Sequence, residues 1–128
     1  MIKTRVAIVV VGVLLPYAAR LPGVLTRGPE WLWSYFGEGL GAVLFFGAFN
    51  AICWGAILAA SYTYSNPHAV WFPAILGFVF PAFMHVSLDL SSDAQAAIAL
   101  LLIPMLSLPL VFVGWIVGKW FDRRALRG

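Results

Sequence analysis

The residues best suited to chemistry in this chain are His85 and Asp89, near the end of an apolar stretch that runs from Ala69 to Leu90. Four residues apart, they lie on one face of a helix, where the carboxylate can accept a hydrogen bond from the imidazole and fix its tautomer. Such a pair can relay a proton, bind a cation together with Glu38, or pair with Arg20. The alternative, which we favour, is a polar cap that satisfies helix ends and holds the helices together.

The same face of the predicted helix carries other residues that lipid does not favour. Pro73, Gly77 and Pro81 precede His85 and Asp89 at the same four-residue interval. The five positions therefore form one slowly drifting stripe on a helix. Prolines, an imidazole and a carboxylate are unfavourable against hydrocarbon, so we expect the stripe to face protein or water. Ionisable groups occupy only its outer end, and the rest is interpreted as a packing surface.

A second apolar stretch, Gly39 to Tyr62, contains an amide and a row of small residues. Asn50 lies near its middle, where a side-chain amide needs a partner, most simply a backbone carbonyl or side chain of a neighbouring helix. Beside it, small residues recur at every fourth position, which lets another helix backbone approach closely. This small-residue ridge consists of Gly47, Ala51, Gly55 and Ala59, and a shorter pair, Gly114 and Gly118, lies near the end of the last apolar stretch. We predict that all six are helix-packing residues.

Composition identifies the environment in which these residues work. Hydrophobic residues make up 62% of the 128 residues and charged residues only 10%, and the mean hydropathy is +0.94. Soluble domains typically carry about 25% charged residues, so lipid is the expected solvent for most of this surface. The net charge of +3 comes from residues near the chain ends, with no basic cluster for nucleic acid. The single cysteine, Cys53, excludes an intrachain disulfide and a multi-cysteine metal site.

Four stretches are long enough to be membrane-spanning helices, at residues 4–21, 39–62, 69–90 and 94–120. We therefore predict an all-α membrane protein, a compact bundle of four transmembrane helices in a single domain. The basic head and first apolar run also fit a secretory signal peptide, but Tyr17 stands where cleavage needs a small residue. We favour a retained helix, with Arg20 snorkelling outward. Trp31, Trp33 and Tyr35 then indicate a short aromatic segment at the membrane interface.

The distribution of basic residues predicts the orientation of these spans. Six lie on one side and two on the other: Lys3, Arg5, Lys119, Arg123, Arg124 and Arg127 against Arg20 and Arg27. By the positive-inside rule both termini are expected in the cytoplasm, and we favour a bacterial inner membrane. This threading gathers Arg20, Glu38, His85 and Asp89, with Asp93, at the outer leaflet as a candidate polar cluster.

The sequence contains none of the common hydrolase, zinc-protease or phosphate-loop motifs, and we expect no enzyme activity, cofactor or metal. The leading hypothesis is a non-enzymatic protein that binds a membrane partner, as an accessory subunit or an immunity-type protein. Its expected partners are the lipid bilayer and another membrane protein or a second copy of itself. The alternative is a small transporter or channel that works as an oligomer, with Asn50, His85 and Asp89 on its path. A weaker third hypothesis is an outer-leaflet enzyme that uses His85, Asp89 and Glu38.

Overall fold

A computed structural model describes residues 1–37, 39–92 and 95–127, and every regular element in these ranges is helical. In chain order they are α1 (Ile2–Ala18), α2 (Leu21–Arg27), α3 (Glu30–Trp33), α4 (Gly39–Ser61), a 3₁₀ turn (Pro67–Val70), α5 (Trp71–Ser87) and α6 (Ala96–Ala125). Helices satisfy their own backbone hydrogen bonds, which a chain in lipid requires. Four stretches are long and apolar enough to cross a membrane: Ile2–Arg27, Gly39–Ser61, Pro67–Ser87 and Ala96–Ala125. The prediction of a helical protein with four candidate membrane spans is thus confirmed.

The helix ends differ from the predicted ones. α1 ends at Ala18, but after a short break α2 continues to Arg27, beyond the predicted end at residue 21. Pro22 fits the first turn of α2 because its missing N–H would have no intrahelical partner there. α5 ends at Ser87 rather than at residue 90, because the next residue, Leu88, takes an extended conformation. α6 continues to Ala125 rather than to residue 120, and its predicted start at residue 94 lies outside the described residues.

α6 packs extensively against α5 and the 3₁₀ turn before it, and two glycines of α6 bring the backbones together. A Cβ added to Gly114 would lie 2.5 Å from the Cα of Pro73, and one added to Gly118 would lie 2.7 Å from the carbonyl oxygen of Ala69. Both distances are too short for any side chain. α4 packs against α6 and α1, and it contributes the fully buried Ile57.

The stripe predicted on the third apolar stretch is buried where the chain is helical. Pro73, Gly77, Pro81 and His85 are all buried on α5, which confirms that this face contacts protein rather than lipid. The fifth position, Asp89, lies beyond the last helical residue. The stripe therefore ends at His85.

At the end of the fold that holds the α4–α5 connection, one carboxylate organises the loop. Asp122 of α6 is only 3% exposed and accepts hydrogen bonds from the backbone N–H groups of Ser65 and Asn66. Lys119, one turn earlier, donates to the carbonyl oxygen of Thr63. Arg5 of α1 donates to the hydroxyl of Ser61 at the same end. Basic side chains from both terminal helices thus meet this one connection.

Candidate functional site

Arg20 is the centre of the polar cluster, and it is buried rather than snorkelling. It lies at the break between α1 and α2 and is 1% exposed. Its guanidinium donates to the carbonyl oxygens of Trp31 at 2.6 Å, Leu88 at 2.7 Å and His85 at 3.2 Å. A fourth hydrogen bond, of 3.3 Å, goes to the hydroxyl of Ser34. The prediction that Arg20 points outward is therefore wrong, because the aromatic segment folds over the side chain and supplies acceptors for it.

Two features make this buried guanidinium tolerable although its hydrogen-bond partners are neutral. The carbonyls of His85 and Leu88 end α5, and the C-terminal end of a helix carries partial negative charge. The flat guanidinium also lies over the rings of Trp31 and Tyr35, with its central carbon 3.9 Å and 4.1 Å from the two ring centroids. Such cation–π contacts strengthen when water is excluded. Arg20 therefore joins α1, the aromatic segment and the end of α5 into one unit.

His85 pairs with a tyrosine of the aromatic segment. Its Nδ1 lies 2.7 Å from the hydroxyl oxygen of Tyr35, and the two rings meet edge to face. Burial raises the pKa of Tyr35 to about 12, so its hydroxyl keeps its proton. When the hydroxyl donates to Nδ1, a neutral imidazole carries its own proton on Nε2, whereas the other tautomer reverses this hydrogen bond. In the first tautomer His85 is a hydrogen-bond donor through Nε2.

The predicted pairing of His85 with Asp89 is wrong. Because α5 ends at Ser87, the two residues do not share a helical face, and the Asp89 carboxylate instead accepts two hydrogen bonds from Ser91. These bonds, from the Ser91 hydroxyl and backbone N–H, lower the pKa of the Asp89 carboxyl. Of the predicted cluster, Arg20 and His85 come together through the backbone of His85 and a shared contact with Tyr35. Glu38 and Asp93 lie outside the described residues.

Asn50 connects two helices in the middle of the fold. Its amide nitrogen donates to the backbone carbonyl of Gly12 in α1 at 2.6 Å. Gly12 is also where Trp54 of α4 lies against α1, since an added Cβ would come within 2.4 Å of that side chain. The amide therefore has the kind of structural partner that a polar group between membrane helices requires.

The six predicted packing residues divide into two groups. Gly114 and Gly118 are buried against the start of α5, the 3₁₀ turn and the α4–α5 loop. By contrast, a Cβ at Gly47 or Gly55 would meet nothing within 4 Å, and Ala59 is exposed. The buried residues of α4, such as Cys53 and Ile57, lie on the opposite side of the helix. Among the described residues, the ridge on α4 is thus open at Gly47, Gly55 and Ala59, whereas Ala51 is half-buried and lines a cavity.

A cavity of about 430 Å³ adjoins both the ridge and His85. It is lined by His85, Tyr35, Tyr17, Asn50 and Trp54, together with apolar residues of α1, α4 and α6. Asn50 and His85, two of the three residues on the predicted transport path, face the same space, whereas Asp89 does not line it. The described residues that line it include no lysine, arginine or carboxylate. The cavity is therefore a mainly apolar space with a few neutral hydrogen-bonding groups.

Two features of the site were missed in the sequence. The aromatic segment was interpreted as a membrane anchor, although Trp31 and Tyr35 are buried around Arg20 and only Trp33 among them is largely exposed. Asp122 was passed over because it sits in a basic tail. In both cases the available signal was an isolated charge beside an apolar helix, which needs a partner when it is buried.

Comparisons of this chain with protein-family models, with curated proteins and with solved structures find no match.

Proposed function

We propose that this chain is a non-enzymatic membrane protein that binds another membrane-spanning helix through the small-residue ridge of α4. The observation that carries the proposal is the open space at Gly47 and Gly55, where an added Cβ would meet nothing within 4 Å. Gly114 and Gly118 of the same chain are already in contact with neighbouring backbone or side chains. Small residues let helix backbones approach closely in lipid, where van der Waals packing drives association. Because no described residue lies within 4 Å of a Cβ added at these two glycines, this part of the ridge suits a partner helix, from another protein or a second copy.

The proposed orientation has both termini in the cytoplasm, with the bacterial inner membrane as the proposed location. Support comes from the basic residues of both terminal helices, since Arg5 bonds Ser61 and Lys119 bonds Thr63 at the same end of the fold. An excess of lysine and arginine favours the cytoplasmic side. The aromatic segment around Trp33 would then lie at the outer interface, with Arg20 enclosed beneath it.

The proposal is tested by adding bulk to the ridge without disturbing the fold. Gly55→Leu places a side chain in open space, so the single chain should remain folded while the partner helix is held away. Gly41→Leu is the matched control: it is the same change at an open position of α4, about 21 Å from Gly55 by the helical rise of 1.5 Å per residue. Gly114→Leu is the contrasting control, because its Cβ would collide with the backbone of Pro73 and disrupt the fold itself.

The measurement is purification of tagged protein in mild detergent, with mass spectrometry for a bound membrane protein and light scattering for a second copy. Gly55→Leu should lose the complex that wild type and Gly41→Leu retain, at unchanged helix content and thermal stability. A Gly55→Leu chain that keeps the wild-type complex in full would rule out the ridge as the binding surface.

A further inference from the structure

The cavity between α1, α4 and the end of α5 has the features of a ligand site. Its volume of about 430 Å³ falls within the range of roughly 300–1,000 Å³ that small-molecule pockets occupy. It is lined by residues from Val43 to Trp54 of α4, which spans about 16 Å at 1.5 Å per residue. The space is therefore long along the helix axis, and an extended ligand fits it better than a compact one.

The way into the cavity is from the side. Leu44 of α4 and Val13 of α1 both line it, yet they are 65% and 48% exposed on the outer surface of the chain. Both belong to candidate membrane spans, so the surface they expose faces lipid. An opening between these two helices would admit a ligand from the bilayer.

One end of the cavity is built to donate a hydrogen bond. His85 is 3% exposed, and its Nδ1 is engaged by the Tyr35 hydroxyl at 2.7 Å. Nε2 is then the ring nitrogen left to serve a ligand, and it carries a proton in the tautomer whose Nδ1 accepts from Tyr35. Asn50, further along the cavity, already uses its amide nitrogen on the carbonyl of Gly12. Trp54 offers a second donor, because its buried Nε1 has no hydrogen-bond partner among the described residues. His85 lies at the end where the aromatic segment covers the site.

The charges around the cavity disfavour an anionic ligand. Arg20 is the nearest cation to His85, but it does not line the cavity and its guanidinium is already bonded to Trp31, Ser34, His85 and Leu88. A carboxylate or phosphate entering this space would lose its water without gaining a counter-charge. A neutral carbonyl oxygen is the acceptor that one imidazole N–H can satisfy.

We infer that this cavity binds a neutral amphiphile from the bilayer, whose apolar chain lies along α4 and whose carbonyl oxygen accepts a hydrogen bond from Nε2 of His85. Two membrane sources share this chemistry: the ester of a glycerolipid and the ring of an isoprenoid quinone. The inference is separate from partner binding at Gly55, which does not line the cavity, although Gly47 and Ala51 of the same ridge do line it.

The experiment titrates purified protein in detergent with three probes of equal chain length: methyl decanoate, a decyl-benzoquinone and sodium decanoate. Binding is followed by the rise in unfolding temperature and by tryptophan fluorescence, since Trp54 lines the site. At least one neutral probe should bind saturably and more tightly than the anion. Saturation by the ester points to a lipid ligand and saturation by the quinone to a quinone ligand. If neither neutral probe saturates, or if decanoate binds equally well, the inference is wrong.

Two substitutions at one position separate a ligand contact from a structural role. His85→Asn keeps a polar group near Nδ1 for Tyr35 but removes the donor at Nε2, whereas His85→Gln places an amide near Nε2. Loss of one hydrogen bond should weaken binding about five- to tenfold in His85→Asn, and His85→Gln should recover most of it. Equal affinity of His85→Asn and wild type would overturn the assignment.

A third variant avoids the buried pair in case the His85 variants do not fold. Val13→Phe adds bulk at a half-exposed position where the cavity opens, and it leaves the Tyr35–His85 hydrogen bond in place. It should weaken binding at least fivefold at unchanged helix content. Wild-type binding by a folded Val13→Phe chain would count against entry between α1 and α4 and against this cavity as the site.

Discussion

Replacing Arg20 by lysine tests whether the buried guanidinium holds this end of the fold together. Lysine keeps the positive charge but replaces a planar fork of donors by one ammonium group. The ammonium can reach the carbonyl oxygens of His85 and Leu88, or the acceptors in the aromatic segment, which are one carbonyl and one hydroxyl, but not both pairs. The substitution therefore removes the planar arrangement of hydrogen-bond donors and keeps a positively charged side chain.

The expected loss follows from the contacts of Arg20. Two of its four hydrogen bonds, those to Trp31 and Ser34, have no donor in the variant. At about 1 kcal/mol each they contribute about 2 kcal/mol. Poorer stacking on Trp31 and Tyr35 adds about 0.5 kcal/mol per ring. Arg20→Lys should therefore lower the free energy of unfolding by about 3 kcal/mol.

The assay is unfolding by sodium dodecyl sulfate in mixed micelles, followed by near-ultraviolet circular dichroism, which reports the packing of aromatic rings. The matched control is Arg27→Lys. Arg27 also lies over the Trp31 ring, at 4.1 Å, but it is exposed. Its replacement should change stability by no more than about 0.5 kcal/mol. If Arg20→Lys is as mild as this control, the guanidinium fork does not join the helices and the reasoning fails.

Two other perturbations have defined outcomes. Asp122→Asn leaves one oxygen to accept from the N–H groups of Ser65 and Asn66, so unfolding in mixed micelles should become easier by about 1–2 kcal/mol. Retention of wild-type stability would show that these backbone contacts contribute little. Burial raises the pKa of Tyr35 from its ordinary value of 10.0 to about 12, so its contribution to stability is complete below pH 10 and is lost as the pH rises to 12. Near-ultraviolet absorbance should show this tyrosine ionising only with unfolding, and early ionisation in folded protein would contradict its burial.

Local composition and helical periodicity were sufficient to predict the four candidate spans and the burial of the α5 stripe. Lipid imposes strong rules: apolar length identifies spans, and prolines or an imidazole on one face identify the side that contacts protein. Pro73, Gly77, Pro81 and His85 follow these rules. The same reasoning failed at Asp89 because the end of α5 depends on Leu88, whose carbonyl is held by a residue on another helix.

The surroundings of Arg20 were beyond sequence reasoning for a different reason. An arginine at a helix end has two physical solutions in a membrane: it can reach outward to water, or it can be enclosed by backbone carbonyls and aromatic rings. The choice depends on whether distant segments can fold over it, and Trp31 and Tyr35 do so only because α3 turns back toward α1. Local periodicity carries no information about whether a later segment folds back over an earlier helix.

The hydrogen bonds of Arg20 also carry a consequence for how the protein is made. Along the sequence, the first acceptor on another helix, Trp31, comes 11 residues after Arg20, whereas Leu88 comes 68 residues after Arg20. While the ribosome is still producing α4, the guanidinium lacks two of its four acceptors, and water at the membrane surface must solvate it instead. Arg20 therefore completes its hydrogen bonds only after α5 and Leu88 have been synthesised, and the contacts between the amino-terminal segment and the end of α5 form late in assembly.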